Sequence, residues 1–120
     1  MYPGVDIIEI ARFTEACNRH PRLINRLFTP RELEGLGKSN NRFPTLAARF
    51  AGKEAVLKAL GTGLRGLSWH DIEIIADEQG EPLVYLSAKA WNIAKNRGGQ
   101  SVKLSLSHSR ENAIAVAILY

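Results

Sequence analysis

The chain has 120 residues, 45% of them hydrophobic and 23% charged, which is the composition of one folded domain and excludes a disordered or fibrous protein. Its formal charge of +4 and pI near 9.5 favour an anionic partner (nucleic acid, phosphates or an acidic protein) or else a basic surface kept for solubility. A single cysteine, Cys17, excludes an internal disulfide. No apolar run reaches the roughly 18 residues that span a bilayer, so a soluble, cytoplasmic protein is expected.

In chain order, Met1 to Ile10 is predicted as a strand, because Val5, Ile7, Ile8 and Ile10 are apolar and β-branched. Helical signal runs from Ala11 to Phe28, broken at Pro21, and Arg12, Arg19, Arg22, Arg26 and Arg31 crowd this first third. Thr29-Pro30-Arg31-Glu32 has the form of a capping box that opens a short helix ending near Gly35 or Gly37. Lys38 to Phe43 reads as an exposed loop. The strongest helix is predicted over Pro44 to Leu60, stopped by Gly61-Thr62-Gly63. Its Leu46, Phe50, Leu57 and Leu60 fall within about 80° of one another, so one stripe should face the core.

Asp71 to Ala76 and Leu83 to Leu86 are strand-like and joined by the turn Asp77-Glu78-Gln79-Gly80. Ser87 can cap a helix from Ala88 to Asn96, closed by Gly98-Gly99. Two strands follow, Ser101 to Ser107 and Asn112 to Leu119, with the loop His108 to Glu111 between them. The last is apolar on both faces, so it is either central in a covered sheet or meets another subunit. No repeat or linker interrupts this order, which suggests one α+β domain over residues 1–120.

Three places carry ionisable side chains that stand out from the pattern. Asp6 sits inside the apolar run Val5-Asp6-Ile7-Ile8, where a buried carboxylate needs a cation, a donor or a metal; the alternative is a strand-end residue in water or capping the next helix. On the long helix, Lys53 falls in the middle of the apolar stripe, with Glu54 and Lys58 at its edge one turn apart. Glu54 with Lys58 is readable as a plain surface pair, but Lys53 must reach a buried anion, snorkel outward or face a second subunit. In Leu104-Ser105-Leu106-Ser107-His108-Ser109-Arg110, His108 follows the core-facing set to the strand's end. It is either a structural histidine or, with Ser107, Ser109 and Arg110, part of a phosphate-friendly loop.

Several chemistries are excluded. No glycine-serine elbow marks a hydrolase. One cysteine and three scattered histidines cannot build a Cys/His metal site. Gly61-Thr62-Gly63-Leu64-Arg65-Gly66 lacks a Walker lysine and follows a helix, so it is not a P-loop.

Taken together, Gly4-Val5-Asp6-Ile7-Ile8-Glu9-Ile10 with Arg12, Phe28-Thr29-Pro30-Arg31-Glu32-Leu33, Leu46-Ala47-Ala48-Arg49-Phe50-Ala51-Gly52-Lys53-Glu54-Ala55, Lys58-Ala59-Leu60-Gly61-Thr62-Gly63 and Leu106-Ser107-His108-Ser109 resemble the holo-[acyl-carrier-protein] synthase family of 4'-phosphopantetheinyl transferases. The resemblance covers nearly the whole chain. It implies an antiparallel sheet packed with one long helix and several short ones. It implies transfer of the phosphopantetheine arm from coenzyme A to a serine of apo-acyl carrier protein, which serves fatty acid biosynthesis.

It further implies Mg2+ at Asp6 and Glu54, with Asp6, Glu54 and Lys58 as catalytic residues and Glu54 or a metal-held water as the base. Arg49, Lys53, Gly61, Gly63, His108 and Ser109 are implied as coenzyme contacts, with a basic residue from the loop holding Lys38 and Arg42. Arg12, Arg22 and Arg26 match arginines that dock the acidic helix of the carrier protein, so no nucleic acid and no membrane are expected as partners. A homotrimer with active sites shared between neighbours is implied as well. Two other readings are a non-catalytic basic module binding a phosphorylated ligand or RNA, and a structural trimer without activity. The module is disfavoured because nucleic-acid binders interleave aromatics with basic residues, whereas Phe13, Phe28, Phe43 and Phe50 fall at core-like or loop positions.

Overall fold

The computed structural model describes residues 1–120. Its elements are β1 (Tyr2–Glu9), α1 (Ile10–Arg19), α2 (Leu23–Leu27), α3 (Pro30–Leu33), α4 (Phe43–Leu60), β2 (Ile72–Ala76), β3 (Pro82–Leu86), α5 (Ala88–Asn96), β4 (Val102–His108) and β5 (Asn112–Leu119). The α+β expectation holds. The three-stranded sheet has the order β1-β5-β4, all antiparallel, and β2–β3 form a separate hairpin.

Helix α4 is the centre of the molecule. The single apolar stripe expected for it is too narrow a description: Phe43, Ala47, Ala51, Ala55, Val56, Ala59 and others around its circumference are buried, while Phe50 is only half-buried. The reason is that α4 is covered from several sides, by the sheet, by β2 and by α1. Small residues let those layers come close. A Cβ on Gly4 would overlap the carbonyl oxygen of Ala55, so β1 can lie directly on α4 only because residue 4 is glycine. Phe43, expected in an exposed loop, is instead buried and starts α4, stacked edge-on to Phe13 at 6.4 Å.

β5 resolves the ambiguity of its doubly apolar sequence. It is the central strand, and its small residues Ala113, Ala115 and Ala117 face α4, where space is short. Its larger Ile114 and Val116 stay on the open face. There they pair across the ladder with Ile7 and Val5 of β1, which are 62% and 52% exposed. The sheet thus has one covered face and one open face, which is apolar along β1 and β5 and polar along β4, where Lys103, Ser105 and Ser107 are exposed.

Local chemistry sets the ends of the elements. The Thr29–Glu32 capping box forms, Ser87 Oγ accepts from Ala90 N–H, and Gly61 closes α4 at φ 82°.

Candidate active site

Gly4 and Asp6 lie on the same face of β1, so the close approach that Gly4 permits also delivers Asp6 to the side of α4. Asp6 Oδ1 accepts from Lys58 Nζ at 3.0 Å, and the same ammonium donates to the Val5 carbonyl at 2.8 Å. Asp6 Oδ2 is buried and has no hydrogen-bond partner. Glu54 stands nearby: its carboxyl is pushed above the usual range by burial and then by the Asp6 charge, with Lys58 opposing. Two acids and one cation leave a surplus of negative charge around a bare buried oxygen, an arrangement that costs free energy and that a further cation would relieve.

The donor set can be compared with what different cations require. No third His, Cys, Asp or Glu joins these two carboxylates. Zinc sites use three or four protein ligands rich in nitrogen or sulfur, whereas Mg2+ keeps several waters and takes one or two carboxylates plus phosphate oxygens. The two acids therefore fit the magnesium ion expected from the resemblance.

Lys53 requires a correction. It was expected among the coenzyme contacts, but its side chain is 0% exposed and donates to Glu32 Oε1 at 2.6 Å and to the Trp69 carbonyl at 3.0 Å. Of the three fates open to it, it reaches a buried anion. Desolvation pulls its ammonium below the usual lysine range, and Glu32 works against that. In the sequence its partner, Glu32, reads only as a capping-box residue. Only one side carried a signal: a lysine amid a core stripe calls for an opposite charge, whereas Glu32 is followed by Leu33-Glu34-Gly35, with no apolar run to mark it as buried.

Arg49 and His108 do come together. They line a hollow of about 220 Å3 with Thr45, Pro82 and Ser107, between the first turns of α4, the β2–β3 hairpin and the end of β4. His108 is therefore exposed at the strand's end, instead of belonging to the buried set of Leu104. Ser109 belongs to the adjoining turn, where its N–H donates to the Asn112 carbonyl at 2.8 Å. Burial lowers Arg49's pKa, opposed by Glu32, and its Nη1 donates to the Glu32 carbonyl at 2.7 Å.

Gly61 and Gly63 lie elsewhere. Gly61 is about 18 Å along the helix from Arg49, its N–H is spent on Leu57 and Lys58 carbonyls, and the Arg97 guanidinium occupies the space a Cβ would need. Gly63 continues the turn with φ 59°. Both shape the exit of α4. Arg49 and Glu54 also point to different sides, since five residues on a helix turn about 140°. Within one chain the carboxylate pair and the Arg49–His108 hollow thus lie on different sides of α4. Of the loop residues before α4, Arg42 is engaged with the Gly37 carbonyl at 3.1 Å, and Lys38 is exposed.

A cleft of about 600 Å3 is lined by neither Asp6 nor Glu54. Phe13, Leu23, Leu27, Phe50 and Trp69 form its apolar wall, and Arg12 and Arg26 stand at it. Arg22 joins Arg19, His20 and Arg26 around an adjacent basic hollow.

With this geometry in hand, comparison with known proteins is specific. Residues 2–117 match the family model described as the 4'-phosphopantetheinyl transferase superfamily. The chain is 46% identical over 118 residues to a holo-[acyl-carrier-protein] synthase of Caldanaerobacter subterraneus subsp. tengcongensis, covering 98% of this chain and 93% of that protein. It is 49% identical over 116 residues to the synthase so named in Clostridium novyi, covering 97% and 84%. In structure it resembles the Helicobacter pylori holo-[acyl-carrier-protein] synthase solved in complex with coenzyme A, with TM-score 0.85, 32% identity, and 98% and 99% of the two chains covered.

Proposed function

This chain belongs to the 4'-phosphopantetheinyl transferase superfamily, and we propose that it acts there as a holo-[acyl-carrier-protein] synthase. It transfers the 4'-phosphopantetheine group of coenzyme A to a serine of apo-acyl carrier protein and releases adenosine 3',5'-bisphosphate. The observation that carries this beyond kinship is the bare, buried Oδ2 of Asp6 beside Glu54. Such a pair is what a magnesium ion shared with a pyrophosphate requires. Bound there, Mg2+ would neutralise negative charge on the coenzyme's pyrophosphate.

The chain's own residues supply the rest. Asp6 and Glu54 would hold the cation, and Lys58, anchored on the Val5 carbonyl and Asp6 Oδ1, adds positive charge beside them. Glu54 or an adjacent water accepts the serine proton as the serine oxygen bonds the β-phosphorus and the bond to the departing bisphosphate breaks. Arg49 and His108 take the phosphate-bearing adenosine end, with Ser109 closing the turn beside them. Gly61 and Gly63 shape the exit of α4, away from Arg49, and carry no step of this reading.

Arg12 and Arg26, flanking an apolar cleft, together with Arg22, suit the acidic helix of a carrier protein. Arg12→Glu should weaken carrier binding roughly tenfold at low salt and spare coenzyme A; titrations showing no salt dependence would count against this docking. The bare face of Val5, Ile7, Ile114 and Val116, with the carboxylate pair and the Arg49–His108 hollow on different sides of α4, supports a homotrimer whose active sites are completed by a neighbour. Sedimentation of a fully active monomer would overturn that. A cytoplasmic role in fatty acid biosynthesis completes the proposal, and no helix is long and apolar enough to cross a membrane.

The direct test incubates the protein with coenzyme A, Mg2+ and apo-carrier protein and weighs the carrier by mass spectrometry. The expected result is a carrier heavier by one phosphopantetheine arm, and none after chelation. A carrier of unchanged mass with Mg2+ present would refute the assignment.

A further inference from the structure

Helix α3 is four residues long, too short to hold its own shape in isolation. Yet it carries the atom that aims Arg49. The Glu32 carbonyl accepts the single hydrogen bond that the Arg49 guanidinium makes within the chain. The other N–H groups of the fork are left for the hollow shared with His108.

The place of that carbonyl is set by Glu32's own side chain, which is 0% exposed. Oε1 accepts from Thr29 N–H at 2.9 Å and from Lys53 Nζ at 2.6 Å, and Oε2 accepts from Ile74 N–H at 2.9 Å. One carboxylate thereby ties α3 to its own cap, to α4 and to β2. A second tie runs from Thr29 Oγ1, which donates to Glu73 of β2 at 2.6 Å.

We infer that Glu32, neutralised by Lys53, is a positioning residue for coenzyme A: its carbonyl holds one corner of Arg49 so that the remaining edge meets a phosphate in a fixed orientation. The inference rests on the assignment of Arg49 to the coenzyme given above. An arginine fork binds phosphate through two parallel hydrogen bonds, which demands a defined plane as well as a charge. If Arg49 is released, part of the binding free energy goes into ordering it.

The test is coenzyme A affinity by calorimetry, alongside steady-state transfer, in Glu32→Gln and Thr29→Val. A neutral amide cannot accept on both sides as the carboxylate does, so Glu32→Gln frees a tie of α3. Thr29→Val is milder and leaves the buried ion pair whole. The dissociation constant for coenzyme A should rise roughly tenfold in the first and about threefold in the second, with kcat at saturating coenzyme changed less than about twofold. In an Arg49→Ala background neither substitution should weaken coenzyme binding further, although each should still lower the melting temperature.

Native coenzyme affinity in the folded Thr29→Val and Glu32→Gln proteins, with Arg49→Ala weakened, would overturn the role of Glu32 and leave that of Arg49 standing. An equal loss with and without Arg49 would overturn it too, because Glu32 would then act through the fold at large. Unchanged affinity in Arg49→Ala would instead remove the assignment of Arg49 itself.

Discussion

Lys53 and Lys58 leave α4 little more than one turn apart, and each meets a carboxylate from another element. Lys53 meets Glu32 at 2.6 Å and Lys58 meets Asp6 at 3.0 Å. The first pair is sealed at 0% exposure, and every oxygen of its carboxylate is used. The second is open on the lysine side, and the inner oxygen of Asp6 has no partner. Saturation, more than distance or charge, separates a pair with no bonding capacity left from one that still has an oxygen free to bind. A saturated buried pair has nothing left to bind with, whereas an unsaturated one is costly alone and gains when a cation fills it.

The contrast breaks most sharply at Asp6 and Glu54. Asp6→Ala and Glu54→Ala should each lower Mg2+-dependent transfer by roughly 10^3-fold or more, while thermal melts show the fold intact. Near-native transfer with both removed would put the metal elsewhere. The sealed pair should behave in the opposite way. Lys53→Met leaves Glu32 as an unpaired buried charge and should cost about 3–5 kcal/mol in denaturant unfolding. Combining it with Glu32→Gln should restore more than half of the loss, since a neutral pair carries no stranded charge. A small loss in Lys53→Met would mean that the pair is less dry than its geometry states.

The smallest effect tests the cost of the open site. Glu54 has its carboxyl raised in the folded chain, so between the ordinary carboxylate range and that raised value the folded state holds more protons than the unfolded one. Stability of the metal-free protein should therefore fall as pH rises through this window, and Glu54→Gln should melt slightly higher above it and no differently below it. Mg2+ should flatten the slope. A Glu54→Gln protein that melts lower at neutral pH would show that the open site is not strained in the way the contrast requires.

Much of the fold was legible from the chain. The helix over Ala88 to Asn96 with its Ser87 cap, the strand Asn112 to Leu119 and the Thr29–Glu32 box stand as expected. Boundaries slipped where packing outweighs local preference, as at Phe43, which is drawn into the helix and the aromatic group around Phe13. The candidate site was legible in part. Asp6, Glu54 and Lys58 are out of place for their pattern, and they assemble. Lys53 is just as conspicuous in the sequence, and it proved structural.

What the sequence by itself determined are features closed within a turn or two of backbone: caps, stops, strand alternation, and the fact that Asp6 and Lys53 must each find a partner. Which partner each found was decided only by tertiary structure. Lys53 reaches Glu32 across 21 residues of chain and Lys58 reaches Asp6 across 52. Likewise the choice of Ala113, Ala115 and Ala117 over Ile114 and Val116 for the inner face of β5 depends on how near α4 lies. Local rules act over a few residues, but desolvation and charge pairing depend on which surfaces the folded chain presses together.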